Sequence, residues 1–244
     1  MGVVLTCLTS CASFYQPTFY QVYTVEGSSC DQSKGRLVYQ NDDCKISYNF
    51  WSEDGDVAFT FENTSGSDIF IDMRQSFFFC NQIANCYYAG RTYEYSSSDK
   101  QNTYGLRAPM GVLAKGSARA ISVKEQEVLC VPKQSTIKLS RFSINPTLVK
   151  SCNKEMVYPK DSMLVEMYQK ENSPVVINNR ISYSFDQDLK AKKQFDNVFW
   201  ISNVENYSSS AVYKWTPYGA IDCDKEENTS YKVYAPNKFF KTYQ

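Results

Sequence analysis

The stretch that decides the fold is Asp56-Val57-Ala58-Phe59-Thr60-Phe61-Glu62. Its large apolar residues recur at every second position, which is the period of a β-strand with one buried face. Turn-forming residues fill positions 52–56, and the segment 45–51 before them alternates in the same way. Two alternating segments joined by a polar turn predict a β-hairpin within residues 43–62.

Similar strand patterns continue along the chain. They occupy residues 69–73, 77–79, 127–131, 135–139, 163–168, 175–185 and 198–204. Many short strands separated by polar turns predict an all-β fold, an antiparallel β-sandwich of immunoglobulin-like or related type. A β-barrel is the alternative that the same pattern allows.

One or two short helices are expected within this fold. Residues 145–150 begin with Asn145-Pro146, an N-cap residue followed by proline at the first helical position. The run 186–193 places acids first and lysines last, an order that suits a short helix. It suits the tip of a charged hairpin equally well.

The composition indicates a folded chain that lacks histidine chemistry. Of 244 residues, 43% are hydrophobic and 15% aromatic, which supplies enough apolar area for a core. Lys plus Arg equals Asp plus Glu at 26 each, so no net charge draws the chain to nucleic acid. With no His, the chain cannot supply a Ser-His-Asp triad or a His-ligated zinc. We therefore expect a non-enzymatic protein without a metal or other cofactor.

The chain shows no break in composition that would divide it. Residues 27–244 are therefore expected to form a single domain. A polar stretch containing Gly and Pro, around residues 95–118, predicts an insertion or long loop. Loops of that length are more often functional or mobile than neutral.

The opening segment ends in Leu8-Thr9-Ser10-Cys11, after an apolar run that begins at Met1. An aliphatic residue, two small residues and a cysteine resemble the bacterial lipobox, and the segment is too short for the roughly 20 residues that span a bilayer. We expect residues 1–10 to be a lipoprotein signal, Cys11 to carry lipid such as palmitate, and residues 11–26 to be the tether. No Lys or Arg precedes Lys34, so the signal is expected to be truncated.

After the cysteine, the chain continues with Ala12 and, farther on, with Tyr20-Gln21-Val22-Tyr23. This opening resembles the uncharacterised lipoproteins common in Bacteroidota, and the similarity continues through residues 44–51, 76–79 and 178–183. The family has no assigned activity, so the resemblance implies only the lipidated Cys11 and a bacterial envelope location. Surface-exported members often carry acids just after the cysteine. Here none occurs before Glu26, so we expect an outer-membrane anchor that faces the periplasm.

The nine cysteines include Cys7 and Cys11 of the opening segment, which leaves an odd number in the body of the chain. Cys30 and Cys44 flank a polar turn, and we expect them to form a disulfide. Cys44 and Cys80 also lie in or beside predicted strands, where a free cysteine serves as a small buried hydrophobe. The two interpretations of Cys44 stay open.

Aromatic residues are the candidates for a binding face, because 19 tyrosines and three tryptophans occur among many Asn and Ser. Residues expected to fill the core are Trp51, Phe59, Phe61, Phe77, Phe79 and Trp200. Tyrosines with polar neighbours, expected to be exposed, are Tyr87, Tyr88, Tyr93, Tyr95 and Tyr104.

The function expected from these patterns is a membrane-anchored envelope lipoprotein that binds a protein or glycan partner, or has a structural role. The alternative is a carboxylate-based hydrolase of the envelope. Glu125 and Glu127 lie two positions apart in a predicted strand, hence on one face, and paired carboxylates can hydrolyse glycosides. The loop near Asp99 is the other candidate for such a site.

Overall fold

Antiparallel β-strands dominate the computed structural model, which describes residues 17–97, 119–213 and 231–244. The strands are β1 (Phe19–Gly27), β2 (Leu37–Gln40), β3 (Cys44–Asn49), β4 (Asp56–Asn63), β5 (Ile69–Asp72), β6 (Phe77–Cys80), β7 (Ile83–Cys86), β8 (Thr92–Ser97), β9 (Arg119–Lys124), β10 (Val128–Val131), β11 (Thr136–Ser143), β12 (Ser162–Met167), β13 (Val176–Ser184), β14 (Lys193–Ser208) and β15 (Lys238–Tyr243). The helices are α1 (Lys154–Val157) and α2 (Ser209–Val212), with single 3-10 turns at Ser33–Gly35 and Lys170–Asn172. The predicted all-β fold with short helices is confirmed.

The strands form two main sheets and a separate hairpin. The larger sheet has nine strands: its path runs β10-β5-β13-β14-β1-β15, with β12 paired to β14 and the β6–β7 hairpin paired to β13. The smaller sheet has the order β11-β4-β3-β2, and β8 pairs with β9. The sandwich-like arrangement of two open sheets replaces the barrel alternative.

The predicted hairpin within residues 43–62 forms the centre of the four-stranded sheet. Its two strands, β3 and β4, pair from Cys44 opposite Asn63 to Asn49 opposite Ala58. The period of two then places alternate residues such as Ile46 and Phe61 in the core, where both are fully buried. This apolar face packs against the nine-stranded sheet.

The longest strand, β14, organises the larger sheet. Its 16 residues pair with β1 along one edge and with β13 and then β12 along the other. A register shift between Thr24 and Val25 interrupts the β1 pairing. Because β14 pairs with β13 over its first half and with β1 and β12 over its second half, it joins the two ends of the sheet.

Strand β1 corrects the expected extent of the tether. Residues 19–26, assigned to a tether over 11–26, form a buried strand between β14 and β15. Tyr23 packs into the main core, while Val22 packs into a second cluster on the opposite face of the sheet. Apolar cover on both faces holds this segment inside the fold. The signal segment 1–10 and Cys11 lie outside the described residues.

The helix expected at residues 145–150 is wrong. This segment forms no regular secondary structure, and Asn145 has φ +45°; the side chain of Gln21 holds the segment by donating to Val149 O at 3.0 Å and accepting from Val149 N at 2.7 Å. A helix begins later, at α1, where the Asn153 side chain caps the first turn. The charged run 186–193 forms the tip between β13 and β14, so its hairpin interpretation is confirmed.

The expected loop around 95–118 is flanked by paired strands. Strands β8 and β9 pair from Thr92 opposite Lys124 to Ser97 opposite Arg119, so residues 95–97 belong to a strand. Residues 98–118, with Asp99, lie outside the described part of the chain. Within that part, no helix has the length and apolar character needed to cross a membrane.

Candidate functional site

The outer face of the four-stranded sheet carries a depression of about 220 Å³ that crosses β3, β4 and β11. Its floor is made by side chains that point away from the core, since successive residues of a strand face opposite sides. These floor residues are Ser47, Asn49, Ala58, Thr60, Lys138 and Ser140.

The strand register explains why the sheet is hollow at this place. Ser47 lies opposite Thr60, and Ala58 lies opposite Ser140, so small side chains adjoin one another across three strands. Longer side chains bound them: beyond the floor at one end, Lys45 and Glu62 form an ion pair at 3.3 Å. The position of the depression is therefore determined by the strand register, which places small side chains opposite one another.

The polar groups of the floor are available to a ligand. The hydroxyls of Ser47, Thr60 and Ser140 make no hydrogen bond to another side chain or to the backbone in the described ranges, and each can donate and accept. Asp56 and Lys138 add one charge of each sign, and neither forms an ion pair with a described residue. The lining of the depression is therefore polar, and its two charges, from Asp56 and Lys138, cancel.

Aromatic side chains form the wall at the other end. Trp51 lines the depression, and its ring lies 5.6 Å from the ring of Tyr234, centroid to centroid. Tyr234 is 52% exposed, and the Asn49 amide donates to its hydroxyl at 3.4 Å. The ring of Phe240 also packs against Trp51, with the two ring centroids 5.2 Å apart. An exposed aromatic ring thus stands beside a floor of hydroxyl and amide groups.

Sequence reasoning missed this face, although one signal for it was present. Trp51 was assigned to the core, but it shares the odd-numbered parity of Ser47 and Asn49, while Ile46 and Tyr48 on the even positions are buried. Parity therefore places Trp51 on the outer face. Tyr234 follows residues 214–230, outside the described part, and no strand pattern marked it.

The other aromatic residues expected in the core divide between the two faces of the sheets. Phe59 and Phe61 are buried there, as predicted. Phe77, Phe79 and Trp200 are half-buried, with Phe77 and Phe79 opposite Arg180 and Asn178 of β13. They cover the outside of the larger sheet rather than the space between the sheets.

The tyrosines expected to be exposed do not form a described binding face. Tyr87 contradicts the prediction: it is 1% exposed, because its ring packs against Phe59 and Phe142 and leaves no surface. Tyr88 is half-buried, with its hydroxyl donating to Glu127 at 3.2 Å. Tyr93 and Tyr95 belong to β8, but their side chains, like all of Tyr104, lie outside the described part.

Tyr87 instead begins a buried chain of polar side chains between the sheets. Its hydroxyl donates to Asn179 Oδ1 at 2.8 Å, and Asn179 Nδ2 donates to the Tyr48 hydroxyl at 2.9 Å. That hydroxyl donates to Asn197 Oδ1 at 2.8 Å, and Asn197 Nδ2 donates to Ser29 at 3.3 Å. Burial raises the pKa of Tyr48 and of Tyr87, so both hydroxyls stay protonated as donors. The chain is structural, because its members are already paired.

The paired carboxylates of the hydrolase alternative are also placed differently from the prediction. Glu125 and Glu127 lie in the connection between β9 and β10, not in a strand. Glu125 is buried, and its carboxylate accepts from the backbone N–H groups of Ala89 and Arg91 at 2.8 and 3.0 Å and pairs with Arg141. Burial raises the pKa of Glu125, but these hydrogen bonds outweigh it and the pKa is lowered. Glu125 is thus a fixed anion that anchors the connection.

The expected disulfide between Cys30 and Cys44 is wrong, because both thiols are free. Cys44 faces the core from β3 and is fully buried, and Cys30 packs at the core margin. Burial raises the pKa of both to about 12, which makes the thiolate scarce. The interpretation of Cys44 as a small buried hydrophobe is confirmed, while Cys80 is half-buried at the end of β6. In the described ranges, no group of three potential metal ligands occurs.

Comparison of the chain with protein-family models, with curated proteins and with solved structures finds no match. The assignment of a function therefore depends on the residues and on the geometry of the depression.

Proposed function

We propose that this protein is a bacterial envelope lipoprotein, and that its non-catalytic β-domain binds a partner through the depression on the four-stranded sheet. The observation that carries the proposal is a concave surface that combines three hydroxyls without partners in the described chain with the ring of Trp51, against which the exposed Tyr234 ring packs. Such concave surfaces with a few convergent polar groups are the usual form of a ligand site.

The anchor is supported by Leu8-Thr9-Ser10-Cys11 and by the resemblance to Bacteroidota lipoproteins. The domain begins at Phe19, because β1 is part of the sheet. Eight residue steps from Cys11 to Phe19 span at most about 26–29 Å when fully extended. The domain would therefore stay next to the membrane, which suits a periplasm-facing partner in the outer membrane or just beneath it.

Mass spectrometry of the mature protein from native membranes tests the anchor. We expect a chain that begins at Cys11 and carries diacylglycerol and a fatty acid. A Cys11→Ala variant should lose the lipid and leave the membrane fraction. An unmodified Met1 in the native protein would contradict the anchor.

A photo-crosslinking amino acid in the depression tests binding without assuming the partner's chemistry. Placed at Ser140, on the floor, it should form an adduct in living cells. The matched control is Thr136, which is exposed on the same face of the same strand, two positions from Lys138, but outside the depression. No adduct at Ser140, or equal adducts at both positions, would contradict the depression as the site.

The hydrolase alternative gains no support from Glu125. Its carboxylate is committed to Ala89, Arg91 and Arg141, and a lowered pKa does not suit a general acid. Glu127, its intended partner, is exposed and pairs with Arg74 at 3.1 Å. We therefore keep the binding function as the proposal.

A further inference from the structure

We propose that the partner bound in the depression is a neutral glycan, presented as one or two sugar rings of a longer chain. This proposal rests on the proposed binding function and goes further by naming the chemistry of the ligand. It is argued from the charge, the hydrogen-bonding groups, the aromatic wall and the size of the depression.

The charge of the depression favours a neutral ligand. Asp56 and Lys138 contribute one charge of each sign, and the nearby Lys45 and Glu62 neutralise each other as an ion pair. A site for a polyanion or a polycation carries an excess of one sign, which attracts the ligand and concentrates it. No such excess occurs here.

The floor presents hydrogen-bonding groups as a grid. Ser47 and Thr60 adjoin each other on neighbouring strands, while Ser140 lies one row along the sheet. Such positions are about 4.8 Å apart between strands and about 6.7 Å apart between alternate residues of a strand. A hydroxyl both donates and accepts. A ligand that carries hydroxyls over its whole surface can pair with this grid in several places at once.

The same floor suits a protein segment poorly. Protein partners obtain most of their binding energy from a few large apolar or arginine side chains inserted into fitted pockets. Ala58 is the only apolar side chain among the six floor residues, and it is half-buried. The depression also lies on the face of the sheet, whereas backbone pairing with an added strand would take place along a sheet edge such as that of β11.

The aromatic wall supplies the apolar contact that a sugar ring needs. Trp51 lines the depression, and Tyr234, which exposes half of its surface, packs edge-on against Trp51 and accepts a hydrogen bond from the Asn49 amide at 3.4 Å. The face of an aromatic ring is negative and attracts the weakly positive C–H groups of a pyranose. A rigid ring also loses little conformational entropy when it is covered.

The volume limits the length of chain that is held. A cavity of about 220 Å³ is smaller than the roughly 300–1,000 Å³ of sites that enclose drug-sized ligands. The depression is open, so the rest of a longer glycan can continue into solvent. We therefore expect the affinity for a single glycan chain to be low.

Binding of arrayed neutral glucose-, mannose- and galactose-based oligosaccharides, with their uronate and sulfated counterparts, tests the proposal. The full chain is used, as a Cys11→Ala variant so that it is soluble. We expect binding to at least one neutral series, with an affinity that hardly changes between low and high salt because no ion pair forms. A bulkier Ala58→Leu or Ser140→Leu side chain fills the depression and should weaken binding at least tenfold.

Two matched controls separate a lost site from a lost fold. Thr136→Leu places the same leucine side chain on the outer face outside the depression and should leave binding unchanged. Tyr234→Ala should weaken binding severalfold, whereas Tyr158→Ala, at a tyrosine that is also 52% exposed, should not. Every variant is checked for an unchanged unfolding midpoint.

Four outcomes would overturn the glycan proposal. Binding only to charged, salt-sensitive glycans would show the wrong ligand class. Equal binding by Ala58→Leu, Ser140→Leu and the parent chain would show the wrong site. No binding to any glycan, together with a protein adduct from the crosslinker at Ser140, would leave the binding function standing and remove its glycan form. If the protein binds no glycan and the crosslinker forms no adduct, both the glycan proposal and the proposed binding function are overturned.

Discussion

Replacing Tyr48 by Phe tests whether the buried polar chain stabilises the sandwich. The substitution keeps the ring and removes the hydroxyl that accepts from Asn179 Nδ2 at 2.9 Å and donates to Asn197 Oδ1 at 2.8 Å. Two buried polar atoms then lose a partner, at about 1–3 kcal/mol each. We expect a loss of roughly 2–6 kcal/mol, a large part of the total stability of about 5–15 kcal/mol of a typical domain.

Urea unfolding, followed by circular dichroism, measures this loss. With a slope of about 3 kcal/mol/M, the midpoint should fall by roughly 0.7–2 M without a change in slope. Tyr87→Phe leaves one acceptor, Asn179 Oδ1, unpaired and should cost less. Tyr158→Phe, at an exposed ring, should change the free energy of unfolding by less than about 0.5 kcal/mol. If Tyr48→Phe costs no more than Tyr158→Phe, the polar chain does not stabilise the fold.

Two further predictions concern acid stability and a strained turn. Hydrogen bonds lower the folded-state pKa of Glu125 despite its burial, so its contribution to stability is present above the unfolded value of 4.5 and disappears as the pH falls through the lower folded value. In the Glu125→Gln variant, the urea midpoint should therefore decrease less steeply as the pH falls below 4.5. If the variant and the parent chain show the same decrease, the loss of stability in acid comes from other groups. Gly55 has φ +73°, and a Cβ at this position would lie 2.9 Å from the Phe239 ring. Gly55→Ala should therefore lower the free energy of unfolding by about 2 kcal/mol or more. Gly66 has open space around it, so Gly66→Ala should not have this effect. Equal thermal midpoints for these two variants would contradict this prediction.

The parts of the fold that follow from local pattern could be predicted from the sequence. The hairpin of β3 and β4 was predictable because alternation and turn chemistry act over a few neighbouring residues. Strand β1 was not, because Val22 and Tyr23 face opposite sides and are both buried. A strand covered on both faces shows no alternation.

The site could be predicted only in part, because it depends on the register between strands that are distant in sequence. The odd parity of Ser47, Asn49 and Trp51 indicated an outer face. No pattern among neighbouring residues indicated that Ala58 would lie opposite Ser140. This pairing of two small side chains is what leaves the depression in the sheet surface. The same reason explains the error on Glu125, which lies in the connection between β9 and β10 and pairs with Arg141 from the distant strand β11.

The pairing of β1 with β15 has a consequence for how the chain is made. Phe19 pairs with Tyr243, so the first described strand finds one of its neighbours at the far end of the chain. A ribosome releases the early strand long before the late one, and contacts between such distant residues form slowly. The larger sheet therefore cannot close around β1 during synthesis. One edge of β1 therefore stays unpaired until β15 has been synthesised, and a nascent chain carries that strand edge exposed until its last described strand is available.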